Sequence, residues 1–192
     1  NDLLKIYGFS KIITAHNLDD SLETFIINLS RGTGLKGLLG IPVKKNNIAR
    51  PMLIFSKEEI VNYARKNKIK WREDSTNEKL DYYRNLIRHE ITSKLKSIKP
   101  NFLENFSNTI KNLSSSYKAS KSLVQKFKKT YFSEVGNHIE ININALKALE
   151  PIEFYLFEFF SKYGFNDIDA LKVLPDSQSG RYLESTSHRL IK

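Results

Sequence analysis

A histidine and three carboxylates lie within ten residues, in the run Ala-His-Asn-Leu-Asp-Asp-Ser-Leu-Glu-Thr at positions 15–24. On a helical wheel, His16, Asp20 and Glu23 share one face at spacings of four and three residues, so we expect them on one exposed surface. Helix capping explains Asp19 or Asp20 alone, because acids stabilise a helix N-terminus. The complete set favours a site for an ammonium group or a magnesium ion beyond the end of a strand.

Two basic motifs could bind an anion. In Arg31-Gly32-Thr33-Gly34 the glycines let the backbone approach a ligand beside a guanidinium group. A glycine C-cap followed by a turn gives the same pattern. Arg84 and Arg88 lie four residues apart, with Asn85 beside them, and this spacing suits a clamp on phosphate. A surface arginine pair without a role has the same spacing, so both interpretations stay open.

The charge distribution favours a polyanionic partner. The formal net charge is +10, from 31 basic and 21 acidic side chains. Nine lysines and one acid, Glu104, lie between residues 94 and 129, which concentrates the positive field in one segment. The alternative is a solvated face of a bundle helix.

The composition excludes several classes of protein. With no cysteine, the chain has no disulfide, Cys-ligated zinc, iron–sulfur cluster or thiol chemistry. It has no apolar run long enough to span a membrane and no signal-peptide pattern at its first residues. We therefore expect a cytoplasmic protein without a membrane partner.

The elements that would position these motifs alternate between strand and helix. Lys11–Ala15 is β-branched and apolar, which predicts a buried strand. A helix follows to about Arg31, with Leu18, Leu22, Phe25, Ile26 and Leu29 on one face, while glycines keep the next stretch loop-like. Arg50–Leu53 is predicted to be extended, because the residue before a proline is disfavoured in the helical region. The capping box Ser56-x-x-Glu59 opens a helix to about Asn67, so the fold class is α/β.

The rest of the chain is predicted to be mainly helical. A helix begins near Tyr83 after the polar loop 72–79, and Pro100 separates it from a long helix over 103–131. Apolar side chains repeat along that helix at steps of three and four residues, which predicts a narrow buried seam. A strand over 138–143, helices over 154–163 and 166–174, and two short strands after residue 180 complete the prediction.

The order of five motifs resembles that of the tRNA(Ile)-lysidine synthetases, members of the N-type ATP pyrophosphatase (PP-loop) group. These motifs are AHNLDDSLET, LSRGTGLKGLLGI, RPML, WREDSTN and YRNLIRHEI, and they cover residues 12–95. The resemblance implies the C-terminal half of a Rossmann-like (adenine nucleotide alpha hydrolase-like) parallel-sheet domain in residues 1–95. A basic helical tRNA-contacting domain would follow in 96–175. Residues 176–192 would start a further segment, since Gln178-Ser179-Gly180-Arg181 is similar to the family's sequence there.

The resemblance also implies a reaction and a set of residues. An enzyme of this family uses ATP and Mg²⁺ to adenylate C2 of the wobble cytidine of tRNA(Ile), and free L-lysine then displaces AMP to form lysidine. Asp20 and Arg88 would be catalytic, and no metal ligand is assigned. Substrate contacts would come from His16, Asp20, Glu23, Arg31 and Gly32, phosphate contacts from Arg84, Asn85 and Arg88, and tRNA contacts from Lys111, Lys118, Lys121 and Lys128.

One motif of the family, the ATP loop Ser-Gly-Gly-x-Asp-Ser, does not occur in these 192 residues. We therefore expect a fragment that is inactive by itself, and whether the natural chain carries the loop stays open. One alternative is another PP-loop tRNA modifier such as a thiolase, which the missing cysteines and the Arg-Gly-Thr-Gly-Leu run disfavour. The other is a non-catalytic RNA-binding module. The tRNA features that are read and the oligomeric state also stay open, with a homodimer as one option.

Overall fold

The computed structural model describes residues 2–72 and 82–192. Two compact units are present, residues 1–117 and residues 118–192, and the boundary falls inside a long helix. The domain limits expected from the sequence, after residues 95 and 175, differ from this division and remain a prediction.

The first unit contains helices on a small sheet. Its elements up to the gap are α1 (Asp2–Tyr7), β1 (Ile12–Ile13), α2 (Leu18–Ser30), α3 (Leu35–Leu38), β2 (Lys44–Lys45), β3 (Ile48–Ala49), a 3₁₀ turn (Pro51–Ile54) and α4 (Lys57–Lys66). After the gap come α5 (Tyr82–Leu86), a π-helical turn (Ile87–Thr92), α6 (Ser93–Ile98) and the first part of α7 (Phe102–Tyr131). Strands alternate with helices, as the α/β prediction requires.

The sheet has the strand order β1-β3-β2 and is mixed, whereas the sequence suggested a parallel one. Strands β1 and β3 run parallel, with Ile12 opposite Ile48, and β2 pairs antiparallel with β3. The β2–β3 hairpin was not predicted, although Asn46 at its turn has a positive φ of 51°, which asparagine tolerates well. A buried strand over Lys11–Ala15 is wrong: β1 has two residues, and Ile13 is 71% exposed. The apolar, β-branched residues predicted the strand correctly. Its burial would require other elements packed over both faces of the sheet, and the residues of the strand alone do not determine that.

Local signals located most helix ends correctly. Asn17 caps α2, and Ser56 caps α4 through the predicted box, with the Glu59 amide donating to Ser56 Oγ at 3.1 Å. Two predictions between these helices are wrong. Residues 35–38 form the short α3 although they include Gly37, and Pro51 opens a 3₁₀ turn because its fixed φ suits a first helical position.

The helix near Tyr83 is confirmed and continues to Ile98, although the π turn in its middle was not predicted. Helix α7 is also confirmed over 30 residues. Its predicted seam is buried at Phe106, Val124 and Phe127.

The second unit packs helices against two hairpins. It contains the end of α7, β4 (Phe132–Val135), β5 (His138–Ile141), α8 (Ile143–Lys147), α9 (Ile152–Phe160), α10 (Ile168–Val173), β6 (Tyr182–Glu184) and β7 (Arg189–Ile191), with 3₁₀ turns at Ser161–Tyr163 and Leu174–Asp176. Its buried core is Val124, Phe127, Leu146, Leu156, Phe159, Phe160, Phe165 and Leu171. The predicted strand at 138–143 is confirmed over β5, while its antiparallel partner β4 was missed. Within the described ranges, no helix is long and apolar enough to cross a membrane.

Candidate active site

The N-terminus of α2 is fixed by a reciprocal cap. The Asp20 amide donates to Asn17 Oδ1 at 3.2 Å, and the Asn17 amide donates to Asp20 Oδ2 at 2.9 Å. Because the helix begins at Leu18, His16 lies outside it, and its Nδ1 shares a hydrogen bond of 2.9 Å with Thr14 Oγ1. The prediction that His16 shares a helical face with Asp20 and Glu23 is therefore wrong.

Glu23 is buried, although the sequence placed it on an exposed surface. It accepts hydrogen bonds from Arg84 Nε at 2.8 Å and from Arg88 Nε and Nη2 at 2.6 and 3.0 Å. Both arginines also approach Asp20, since their Nη2 atoms lie 3.3 and 3.7 Å from Asp20 Oδ1. The acidic and the basic motif, which the sequence treated as two sites, form one cluster between α2 and the helix over 82–98. We call these four residues the Arg–acid cluster.

Arg88 of the Arg–acid cluster lies in the π-helical turn. Ile87 at its start is buried, and Thr92 at its end is buried as well. The Thr92 hydroxyl donates to the Arg88 carbonyl at 2.8 Å, which satisfies an acceptor in the widened turn. Such turns are rare and often occur at functional sites. No local signal in residues 82–98 predicts this one.

The Arg–acid cluster has a formal charge of zero but an uneven exposure. The side chains of Arg84 and Arg88 are 32% and 37% exposed, whereas those of Asp20 and Glu23 are 18% and 3% exposed. The hydrogen bond to Glu23 raises the pKa of the Arg88 guanidinium above its ordinary value, and partial burial opposes this. The arginine side chains of the cluster are therefore more accessible to a ligand than its carboxylates are.

Asp19 supports the site without joining the Arg–acid cluster. Its Oδ2 accepts a hydrogen bond of 2.7 Å from the Lys57 amide at the start of α4, and its Oδ1 forms an ion pair with Lys96 on α6. Asp19 thus links three helices of the first unit. The sequence suggested that it caps its own helix, and the structure shows that it caps a neighbouring one.

The Arg31-Gly32 turn lies at the other end of α2. Arg31 is its C-cap, and Gly32 has a φ of +68°, so the structural interpretation of this motif is confirmed. Eleven residues separate Asp20 from Arg31, which is about 16 Å along a helix. The two motifs therefore lie at opposite ends of α2. Asn85, which follows Arg84 in the sequence, is half-buried. Residues 74–77, the Asp-Ser-Thr-Asn part of the WREDSTN motif, lie outside the described residues.

The four lysines predicted to contact tRNA differ in their surroundings. Lys111 and Lys118 are exposed on α7. Lys121 Nζ lies 2.6 Å from Glu158 Oε2, and Lys128 Nζ lies 5.3 Å from the centroid of the Phe159 ring. Burial and the neighbouring charges of Lys162 and Lys121 lower the pKa of Lys128.

Lys128 also lines an open concavity of about 550 Å³ in the second unit. Lys126, Lys129 and Lys162 line it too, together with one acid, Glu134. Lys162 lies outside the basic segment 94–129. It reaches the concavity only because α9 packs near α7, which the order of charges along the sequence does not show.

The described acids offer no site for a metal ion. Among residues 2–72 and 82–192, no group of three histidine or acidic side chains is placed to bind one. Asp19, Asp20 and Glu23 are each paired with lysine or arginine. The carboxylates of the expected magnesium site are therefore engaged with side-chain cations.

Comparisons with known proteins agree with the sequence resemblance. Residues 1–95 match the PP-loop domain family, and residues 134–192 match the TilS substrate binding domain family. A tRNA(Ile)-lysidine synthase of Porphyromonas gingivalis is 34% identical over 99% of this chain and 42% of its own length. The synthase of Bacteroides thetaiotaomicron is 33% identical over 96% of this chain and 43% of its own length. That of Petrotoga mobilis is 45% identical over 55% of the chain and 34% of its own length.

The chain thus spans about two fifths of the length of the relatives that it matches over nearly all its residues. The two family matches follow the order of the two structural units, and together they cover about four fifths of the chain. The Arg–acid cluster lies inside the PP-loop match. The chain belongs to the tRNA(Ile)-lysidine synthase family of PP-loop proteins.

Proposed function

We propose that this chain contributes catalytic and tRNA-binding parts of an ATP-dependent tRNA(Ile)-lysidine ligase. The enzyme adenylates C2 of the wobble cytidine in tRNA(Ile) and then joins L-lysine to that carbon, releasing AMP. The observation that carries the proposal is the Arg–acid cluster, which holds two partly exposed arginine side chains inside the PP-loop match. The first unit would be the C-terminal part of a Rossmann-like nucleotide-binding domain, and its α/β order supports this assignment.

Arg84, Asn85 and Arg88 are proposed to contact the phosphates of ATP, with Arg88 stabilising the charge that develops during adenylation. About a third of each arginine side chain is accessible, and a guanidinium can donate two parallel hydrogen bonds to phosphate oxygens. The described residues therefore fit a triphosphate. They do not fit Mg²⁺, because their clustered carboxylates are paired with cations, and we derive no step through that ion.

Asp20 is proposed to hold the lysine ammonium. It is more exposed than Glu23, and its contacts with Arg84 and Arg88 are longer, at 3.3 and 3.7 Å, so an incoming ammonium can compete for Oδ1. His16, at the entrance to α2, is proposed to contact the same substrate. Arg31 and Gly32, one helix length away, are proposed to contact the tRNA rather than the amino acid.

The lysines of α7 are proposed to bind the tRNA backbone. Lys111 and Lys118 are exposed, and Lys128 lies in a basic concavity with room for a phosphate group. Lys121 would have to exchange its contact with Glu158 for one with a phosphate.

The test is tRNA-dependent pyrophosphate release by the protein as its gene encodes it, with and without L-lysine. We expect adenylated tRNA to accumulate without lysine and lysidine to form with it. The matched control substrate is tRNA(Ile) with uridine at the wobble position, which should give neither product. Pyrophosphate release that does not depend on tRNA would refute the proposal. Binding of tRNA without any pyrophosphate release would favour a non-catalytic RNA-binding module.

A further inference from the structure

We propose that Glu23 is a positioning residue, which holds Arg84 and Arg88 in place for the nucleotide and does not bind the lysine substrate. This inference rests on the proposed function. The sequence grouped Glu23 with the substrate-binding acids, and its contacts favour a different role.

Both carboxylate oxygens of Glu23 are already used. Oε1 accepts a hydrogen bond from Arg88 Nε at 2.6 Å, and Oε2 accepts from Arg84 Nε at 2.8 Å and from Arg88 Nη2 at 3.0 Å. Only 3% of the side chain is exposed, so a substrate ammonium would have to displace a guanidinium to reach it. Asp20 is the more accessible of the two acids.

Three hydrogen bonds to one carboxylate also restrict two long side chains. Arginine has several rotatable bonds, and a free guanidinium samples many positions. Glu23 fixes Nε of both arginines and, for Arg88, the adjacent Nη2. Nη1 of Arg88 makes no hydrogen bond within the described residues, which leaves that side of the group for an anion.

Glu23 also compensates the charge of the two arginines. Arg84 and Arg88 lie one helical turn apart, and two cations at that spacing repel each other. Glu23 is in contact with both and acts as their shared counter-ion. Without it, the two guanidinium groups would separate, and the phosphate site that they form would lose its geometry.

The π-helical turn, on the helix that faces α2, also holds Arg88 in place. Arg88 lies inside this turn, and the buried Thr92 hydroxyl bonds to its carbonyl at 2.8 Å. The backbone of Arg88 is thus held by Thr92 and its side chain by Glu23. An arginine whose backbone and side chain are both held in place can stabilise negative charge that develops in a transition state without first having to reorient.

The experiment separates the two half-reactions in the protein as its gene encodes it. Glu23→Gln keeps the size of the side chain and removes its charge. We expect it to slow adenylation, measured without lysine, by about tenfold or more, and to leave the KM for lysine within about twofold. The matched control is Glu90→Gln, an exposed glutamate on the helix that carries Arg84 and Arg88, which should change neither value. A rise of about tenfold in the lysine KM, with adenylation unchanged, would overturn the proposal.

A conservative variant and a direct measurement keep the test decisive if Glu23→Gln fails to fold, since removing one partner from a buried ion pair can unfold a domain. Glu23→Asp retains the charge, and we expect an adenylation rate between those of wild type and Glu23→Gln. In the 192-residue chain, the Nε–H signals of Arg84 and Arg88 should be protected from exchange in NMR spectra. They should lose protection in Glu23→Asp and keep it in Glu90→Gln; protection unchanged in Glu23→Asp would overturn the proposal.

Failure of this inference differs from failure of the proposed function. A wild-type protein that releases no pyrophosphate with tRNA(Ile) refutes the function. A wild-type protein that is active, with a Glu23→Gln variant impaired only in lysine use, refutes the role of Glu23 alone.

Discussion

Replacement of Lys111 and Lys118 by glutamine should reduce the salt dependence of tRNA binding by an amount that follows from their exposure. Both are exposed on α7, and neither forms an ion pair within the described residues. Each phosphate contact contributes about 0.9 to the log–log slope of affinity against salt for a duplex, so the double variant should lose about 1.8. Between 50 and 200 mM salt, the wild type should therefore lose about twelvefold more affinity than the variant.

Lys121 provides the internal comparison for this prediction. Its ammonium is 2.6 Å from Glu158, which already compensates part of its charge, so Lys121→Gln should change the slope by less than one exposed lysine does. Lys172→Gln is the matched control, because that lysine is also paired with a glutamate, Glu153, and lies outside α7. Its slope should equal that of the wild type.

The assay is fluorescence anisotropy of labelled tRNA(Ile) with the 192-residue chain at four or more salt concentrations. Circular dichroism of each variant checks that the fold is retained. An unchanged slope for the Lys111/Lys118 double variant would refute the assignment of these lysines to tRNA binding. It would indicate that this part of α7 is a solvated helix face. A loss of slope in Lys172→Gln as large as in the double variant would show a general charge effect in place of a site.

Four further predictions address the candidate active site and the fold. In the two-step assay, Arg88→Ala should cut adenylation by about a hundredfold, because a charge-stabilising donor is lost at the phosphates. Asp20→Asn should raise the lysine requirement by roughly ten- to a hundredfold, and loss of adenylation with an unchanged lysine requirement would contradict the role given to Asp20. Ser56→Ala should lower the free energy of unfolding by about 1 kcal/mol in urea titrations, because α4 loses its capping box. Gly40→Ala should lower the melting temperature of the chain more than Gly136→Ala does in paired thermal melts. Both glycines have a positive φ, but only a Cβ at Gly40 would lie 2.5 Å from a serine hydroxyl of α2. Equal losses in the two variants would contradict this steric argument.

Elements whose signals are local were predictable from the sequence. The capping box of Ser56 spans three residues, and its two hydrogen bonds form inside that segment. The seam of α7 repeats at helical spacing, so its buried positions followed from the order of apolar side chains. The position of Arg84 and Arg88 on one helical segment also followed from the sequence.

Elements that depend on a distant partner were less predictable. Strands β2, β3 and β4 were missed because short strands form only against a partner, and their residues carry little alternation of their own. The conformation at Pro51 was also not decided by the sequence, since proline is compatible with an extended segment and with the first position of a 3₁₀ turn. Tertiary contacts chose between these conformations.

The sequence by itself determined the family, the α/β order, most helix ends and the residue types of the candidate site. Only the tertiary structure decided that Asp20 and Glu23 pair with Arg84 and Arg88, more than 60 residues away. A helical wheel assigns a charged side chain to solvent because burying an unpaired charge is unfavourable. Glu23 is buried because two guanidinium groups from another helix compensate it, and that compensation exists only once the two helices pack together.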